Sequence, residues 1–242
     1  MGIKLKDIPI YAENVPFKER LMANCAKPLT WLFLQTNITA NEVTFISMIV
    51  ALIGSGLMIF GNYLVSLIGL AFFCLFMILD HVDGQVARYR KQVGKAGLYF
   101  DSRVHHIVEP LFFICCGIGA FINSFYVNNL GNFLIMLLYL FSGIGAAVFY
   151  LMRQLIKSEQ TLEFRSLDKE KSLYGKINYF MFQFLRINYP FSLLFFGIIF
   201  DLAGPVLVIY STIFLANLIY SFYNTFKELD DEDNGQLETI LH

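Results

Sequence analysis

The sequence predicts an all-α integral membrane protein with six transmembrane helices, an interfacial amphipathic helix before them, and both termini on the cytoplasmic side. Three observations carry that prediction. Of 242 residues, 57% are hydrophobic and only 15% charged, against about 25% charged in an ordinary soluble domain; the mean hydropathy is +0.58. Residues 43–79, 110–152, 187–200 and 202–226 carry no charge at all. The 18 Lys and Arg residues fall only in segments that such helices would leave on one side. This composition excludes a disordered chain, a collagen-like repeat and a disulfide scaffold. A formal net charge of −1 gives no footing for a nucleic-acid partner, and none is expected.

In chain order, residues 1–42 form a cytoplasmic N-terminal segment. Its start has no apolar run of the kind that follows the charged end of a signal peptide. Residues 14–36 mix Lys18, Glu19, Arg20 and Lys27 with Phe17, Leu21, Met22, Trp31, Leu32 and Phe33, which predicts an amphipathic helix at the membrane surface, interrupted at Pro28. A crossing needs about 20 apolar residues, so the first uncharged stretch holds two, 43–60 and 63–88, broken at Gly61-Asn62. The next holds 98–121 and 131–156, separated by the polar run Asn123 to Asn132. A fifth span, 179–200, carries Arg186 inside it, and Asp201-Leu-Ala-Gly-Pro205 turns the chain into the sixth, 204–226. Residues 43–226 thus make the membrane domain. The tail 227–242, with its run Glu228-Leu-Asp-Asp-Glu-Asp233, is expected to be solvated and disordered.

The cations then sort by position. They lie before the first span, around the link between spans two and three (Arg88, Arg90, Lys91, Lys95, Arg103), between spans four and five, and at Lys227 after the sixth; the turns at 61–62, 122–130 and 201–203 contain none. By the positive-inside rule that side is cytoplasmic. The four cysteines, Cys25, Cys74, Cys115 and Cys116, show no metal spacing and read as buried free thiols. No repeat of fixed period appears, and the gathering of charge at one side fits poorly with a transporter or channel.

Carboxylates at the ends of membrane helices are costly and point to function. Asp80 and Asp83 are spaced i, i+3 on one helix face; Gly97, Asp101, His105 and Glu109 follow at four-residue intervals on the next helix, on one stripe of its surface. The short link 89–96 makes the two helices antiparallel neighbours, so these faces can converge. Carboxylates so gathered repel unless a cation lies among them, and oxygen-rich sets suit Mg²⁺ or Mn²⁺. The plainer reading pairs the same acids with Arg88, Arg90 and Arg103 as interfacial salt bridges.

The longer pattern Asp80-x2-Asp83-Gly84-x2-Ala87-Arg88-x8-Gly97-x3-Asp101-x3-His105 resembles the signature of the CDP-alcohol phosphotransferase family of membrane phospholipid-synthesising enzymes. Its form there is D-x2-D-G-x2-A-R, about eight residues, G-x3-D-x3-D. Seven of eight fixed positions match. Thr39-Ala40-Asn41-Glu-Val-Thr44 is similar to the family's T-P-N-x-x-T entry to the first span, with Ala40 in place of proline.

The resemblance implies transfer of a phospho-alcohol group from a CDP-linked lipid donor to an alcohol, with release of CMP, at the cytoplasmic face of the bilayer and usually in a homodimer. It implies Asp80, Asp83 and Asp101 as metal ligands, for two ions or for one if His105 does not ligate. Asn41, Thr44, Gly84, Ala87, Arg88 and Gly97 would receive the nucleotide. The family's last aspartate, its general base and a participant in the metal site, is His105 here. Three roles compete for it: base, since imidazole titrates near 6.5 unperturbed; nitrogen ligand favouring softer ions; or a replacement that weakens or abolishes transfer in a diverged, donor-binding member. Glu109, one turn on, is a candidate substitute carboxylate, although Pro110 adjoins it. His106 points about 100° away and reads as structural or solvated. Arg153, Arg186 and Lys176, the last in a Gly-Lys pair also found in the glycerol-phosphate-using branch, are the acceptor candidates, against a plainer role for Arg153 and Lys176 as topogenic charge. If they bind phosphate, the acceptor is a phosphorylated polyol.

Overall fold

The computed structural model describes residues 8, 17–127, 133–163 and 193–241. Among the described residues there are seven helices and no strand: α1 Phe17–Leu34, α2 Ala40–Met58, α3 Tyr63–Tyr89, α4 Lys95–Val127, α5 Phe133–Glu163, α6 Leu193–Ile199 and α7 Ala203–Leu241. Five are long and apolar enough to cross a membrane: α2, α3, α4 to Ser124, α5 to Met152 and α7 to Tyr220. The described residues are thus all-helical, with several long apolar helices of the kind a multi-pass membrane protein has. Most of the expected span 179–200 lies outside the described residues; its end is the helix α6.

Local sequence sets the helix starts. Thr39 caps α2 in a capping box, its hydroxyl oxygen accepting from the Glu42 N–H while the Glu42 carboxylate accepts from the Thr39 N–H, which satisfies two otherwise unpaired donors. At the break before α3, Gly61 takes a left-handed φ of +63° and Asn62 accepts from the N–H groups of Leu64 and Val65.

One expectation fails. Pro28 does not interrupt α1, which runs through it. The ring removes one bond, to the Asn24 carbonyl, but α1 is held on α3 from both sides of that gap: Gln85 donates to the Ala23 carbonyl and accepts from Thr30, at 2.7 and 2.6 Å. α7 continues along the acidic tail to Leu241. An existing membrane helix supplies the nucleus, so extension avoids the costly first turn.

Without water between helices, packing rests on close approach of small residues. A Cβ on Gly54 of α2 would stand 2.8 Å from the Gly69 carbonyl oxygen of α3, and one on Gly143 of α5 would stand 2.7 Å from Gly117 Cα of α4. The core between them is aromatic. Phe73 stacks on Phe112 at 4.0 Å between centroids, and Phe113, Tyr210 and Phe214 interlock below. Outward apolar side chains such as Phe45, Ile49 and Ile53 on α2 and Phe141 on α5 are exposed, as a lipid-facing surface requires. Of the thiols, Cys115 and Cys116 are buried as expected, Cys74 is half-buried, and Cys25 is exposed on α1.

Candidate active site

Three helix ends converge on one recess. The first turn of α2 brings Asn41 and Thr44, the last turns of α3 bring Asp80, Asp83, Gly84, Ala87 and Arg88, and the start of α4 brings Gly97 and Asp101. Together they line a cleft of about 190 Å³. Gly97 eases the convergence, since a Cβ there would press on Asn41 Oδ1 at 3.2 Å; one on Gly84 would meet first the guanidinium of Arg88, one turn on in the same helix, at the same distance. Arg90 fixes the α1–α2 link beside the cleft by donating to the carbonyls of Phe33, Thr36 and Ile38.

Within the cleft the acids have specific partners. Asp83, 7% exposed, accepts from the Thr44 hydroxyl at 2.5 Å. Asp80 Oδ1 lies 2.7 Å from His105 Nε2, with Asp101 Oδ1 3.6 Å from the same nitrogen. On the other edge of the ring, His105 Nδ1 lies 2.9 Å from Glu109 Oε1, and Glu109 is 2% exposed. A nitrogen and a carboxylate oxygen at 2.7 Å need a positive centre between them, either a proton in a charge-assisted bond or a cation. The plainer pairing with arginine is not what Arg90 and Arg103 make: Arg90 turns to carbonyls and Arg103 sits over the Tyr99 ring at 4.7 Å.

The donor set fits a divalent cation. One donor atom each from Asp80, Asp101 and His105 lie within 4.8 Å of one another, close to the ~4.4 Å that two ligands 2.0–2.2 Å from one ion can span. Two carboxylates and an imidazole suit hard to borderline metals. Asp83 stands outside this trio, one oxygen taken by Thr44.

Of the acceptor candidates, Arg153 lies on α5 with its side chain outside the described residues, as Lys176 and Arg186 are entirely. His106 is half-buried, its Nδ1 without a hydrogen-bond partner. Sequence reading missed Gln92, Val93, Gly94 and Leu98, which also line the cleft; the fixed length of the link 89–96 was the available signal. It also missed Gln85, a lone amide in an apolar run, which a satisfied buried partner would explain.

A family model described as CDP-alcohol phosphatidyltransferase matches residues 37–216, well over half of the chain and the whole of the cleft. No curated protein matches the chain.

Proposed function

The chain belongs to the CDP-alcohol phosphatidyltransferase family, and from that premise we propose that it moves a phosphatidyl-type group from a CDP-linked lipid to the hydroxyl of an alcohol, releasing CMP, in a metal-dependent reaction. The observation that carries the reading is the convergence of Asp80, Asp83 and Asp101 in one cleft with His105 against them. In the step, the acceptor oxygen forms a bond to the phosphorus that bears the lipid alcohol, and the bond from that phosphorus to the CMP oxygen breaks. The acceptor's hydroxyl proton passes to the base, a role assigned to His105, and CMP leaves with the bonding electron pair.

Asp80, Asp83 and Asp101 would hold Mg²⁺ or Mn²⁺, as one ion or a pair; such a cation neutralises the diphosphate and the departing oxygen. Arg88 meets phosphate oxygens with its fixed donor fork. Asn41 and Thr44 bound the nucleotide side of the cleft, and Gly84, Ala87 and Gly97 leave it the room a nucleotide needs. Arg153, Lys176 and Arg186 are assigned to the phosphate of a phosphorylated polyol acceptor. The same proposal holds six spans over 43–226, both termini and the cleft at the cytoplasmic face, and a homodimer.

The test is a matrix of CDP-lipids against acceptors, read as CMP release with Mg²⁺ and with Mn²⁺. Release that depends on the ion and disappears in Asp80→Ala supports the reading; no release with any acceptor, and no CDP binding, sinks it. A second reading has its own observation, the engagement of both His105 nitrogens by carboxylates. In it the chain is a diverged member that binds a nucleotide-linked donor with altered or lost transfer. His105→Asp separates the two: activity rises in the diverged reading and falls in ours.

A further inference from the structure

The cleft end of α3 has two working faces. One presents Asp80, Asp83, Gly84 and Ala87 to the cleft. The other lies on α1. Val82 and Val86 are buried there with Ala26 and Leu34 of α1 and Val43 of α2, and Gln85, wholly buried, holds α1 directly. The Ala23 carbonyl can only accept, so the Gln85 amide nitrogen faces it at 2.7 Å, and the amide oxygen takes the Thr30 hydroxyl at 2.6 Å. Adjacent residues thus serve different partners, Gly84 the cleft and Gln85 α1, with Cα atoms about 3.8 Å apart. A small displacement of α1 is a displacement of the cleft wall.

The opposite side of α1 faces outward. From Arg20 to Leu34 its exposed residues all fall within an arc of about 140°. Leu21, Cys25, Pro28 and Leu32, spaced i, i+4, i+7 and i+11, form its apolar part, and Leu21, Trp31 and Leu32 are 39%, 39% and 54% exposed. Arg20 and Lys27 lie along one edge. Apolar side chains suited to acyl chains, edged by cations suited to lipid phosphates, fit a bilayer surface. The outward residues Phe45 and Ile49 of α2 continue that surface just beyond the link from α1. We propose that this arc docks α1 on the cytoplasmic lipid surface, and that Gln85 is a positioning residue through which the docking sets the affinity of the cleft for its donor. The inference rests on the transfer reading above, which names the donor. With α1 seated, Gln85 holds Asp83 and Gly84 in register with Thr44 and Gly97; with α1 lifted, that wall of the cleft is no longer fixed.

Trp31 is the only tryptophan in the chain, so its fluorescence reports on α1 without a label. The experiment places the full-length protein in nanodiscs of phosphatidylcholine and phosphatidylglycerol in equal parts, with plain or brominated acyl chains. Donor KM, kcat for CMP release and CDP affinity are measured alongside. Brominated lipid should quench Trp31 in the wild type. Leu21→Ser with Leu32→Ser should lower the quenching and raise donor KM about tenfold, with kcat within about threefold. Gln85→Met should leave the quenching unchanged and raise donor KM as much, and adding the two serines to it should raise KM no further. Thr30→Val should follow Gln85→Met, and Thr30→Ser, which keeps the hydroxyl, should behave as the wild type. An unquenched Trp31 overturns the inference, as when a second copy of the chain covers the arc. Additive effects on KM overturn it too, as does a Gln85→Met protein that loses only Tm or kcat. If Gln85→Met does not fold, the Thr30 pair decides. A protein whose CDP affinity follows α1 but which releases no CMP overturns the transfer reading and leaves the docking; CMP release with a donor KM indifferent to α1 overturns this inference alone.

Discussion

Among the described residues, two recesses of the bundle are of similar size. One, of about 190 Å³, lies where α3 ends and α4 begins. The other, of about 230 Å³, lies where α7 begins, lined by Asn123, Ser124, Tyr139, Asp201 and Gly204. In the second, the lone carboxylate Asp201 is exposed and accepts from the Asn123 amide at 3.1 Å. Its left-handed φ of 57° serves the turn into α7. In the first, three aspartates from two helices line the cleft, Asp83 nearly dry, and His105 stands against Asp80 with the buried Glu109 on its other edge. Volume does not separate the two recesses. What separates them is that only the first gathers groups whose burial together costs free energy unless something binds there.

The sharpest way to break that contrast is to remove one carboxylate from each end. Asp80→Ala should lower CMP release about 10³-fold, the scale of losing a key electrostatic contact in a dry site, whereas Asp201→Ala should leave it within about twofold. Comparable losses in the two variants would erase the distinction. His105→Ala should cost about 10²-fold or more, as expected for removal of a general base, and should also lower the Tm, because it leaves the buried Glu109 without its imidazole partner. The glycines divide next. Gly97→Val should raise donor KM about tenfold by pushing on Asn41, with little effect on stability. Gly119→Ala at the other end, where an added Cβ would collide with the Met58 carbonyl, should cost about 1–3 kcal/mol of stability and leave donor KM alone in the folded fraction. Arg90→Ala should have the smallest effect on rate: loss of its bonds to three carbonyls costs about 1.5–3 kcal/mol, seen as a lower Tm.

Sequence patterning sufficed where the cause is local. Uncharged stretches placed α2, α3, α4, α5 and the membrane part of α7 to within a few residues, because the length of a crossing and the absence of charge are read directly from the chain. The four-residue spacing of Asp101, His105 and Glu109 put them on one stripe for the same reason. What lay beyond reach depends on distant partners. Nothing near Pro28 reveals that Gln85, 55 residues from Thr30, bridges across it. Nothing near Arg90 announces the Ile38 carbonyl, 52 residues away. The stripe on α4 was legible, but which ring nitrogen of His105 meets which acid is decided by how α3 lies against α4, and no residue pattern carries that.

The burial of Glu109 bears on how the protein is made. It sits about 21 Å along α4 from Lys95, and with Asp101 and His105 gives that segment three ionisable groups on one side. Each charge near the bilayer centre costs roughly 2.5–3.5 kcal/mol on insertion. On its own, α4 is therefore a poor substrate for the insertion machinery; beside α3, with Asp80 opposite His105, it is an acceptable one. Biogenesis of the bundle and assembly of the cleft become a single event. Lesions that spoil the cleft by unpairing Glu109 should then show themselves first as chains caught by membrane quality control, before any question of turnover arises.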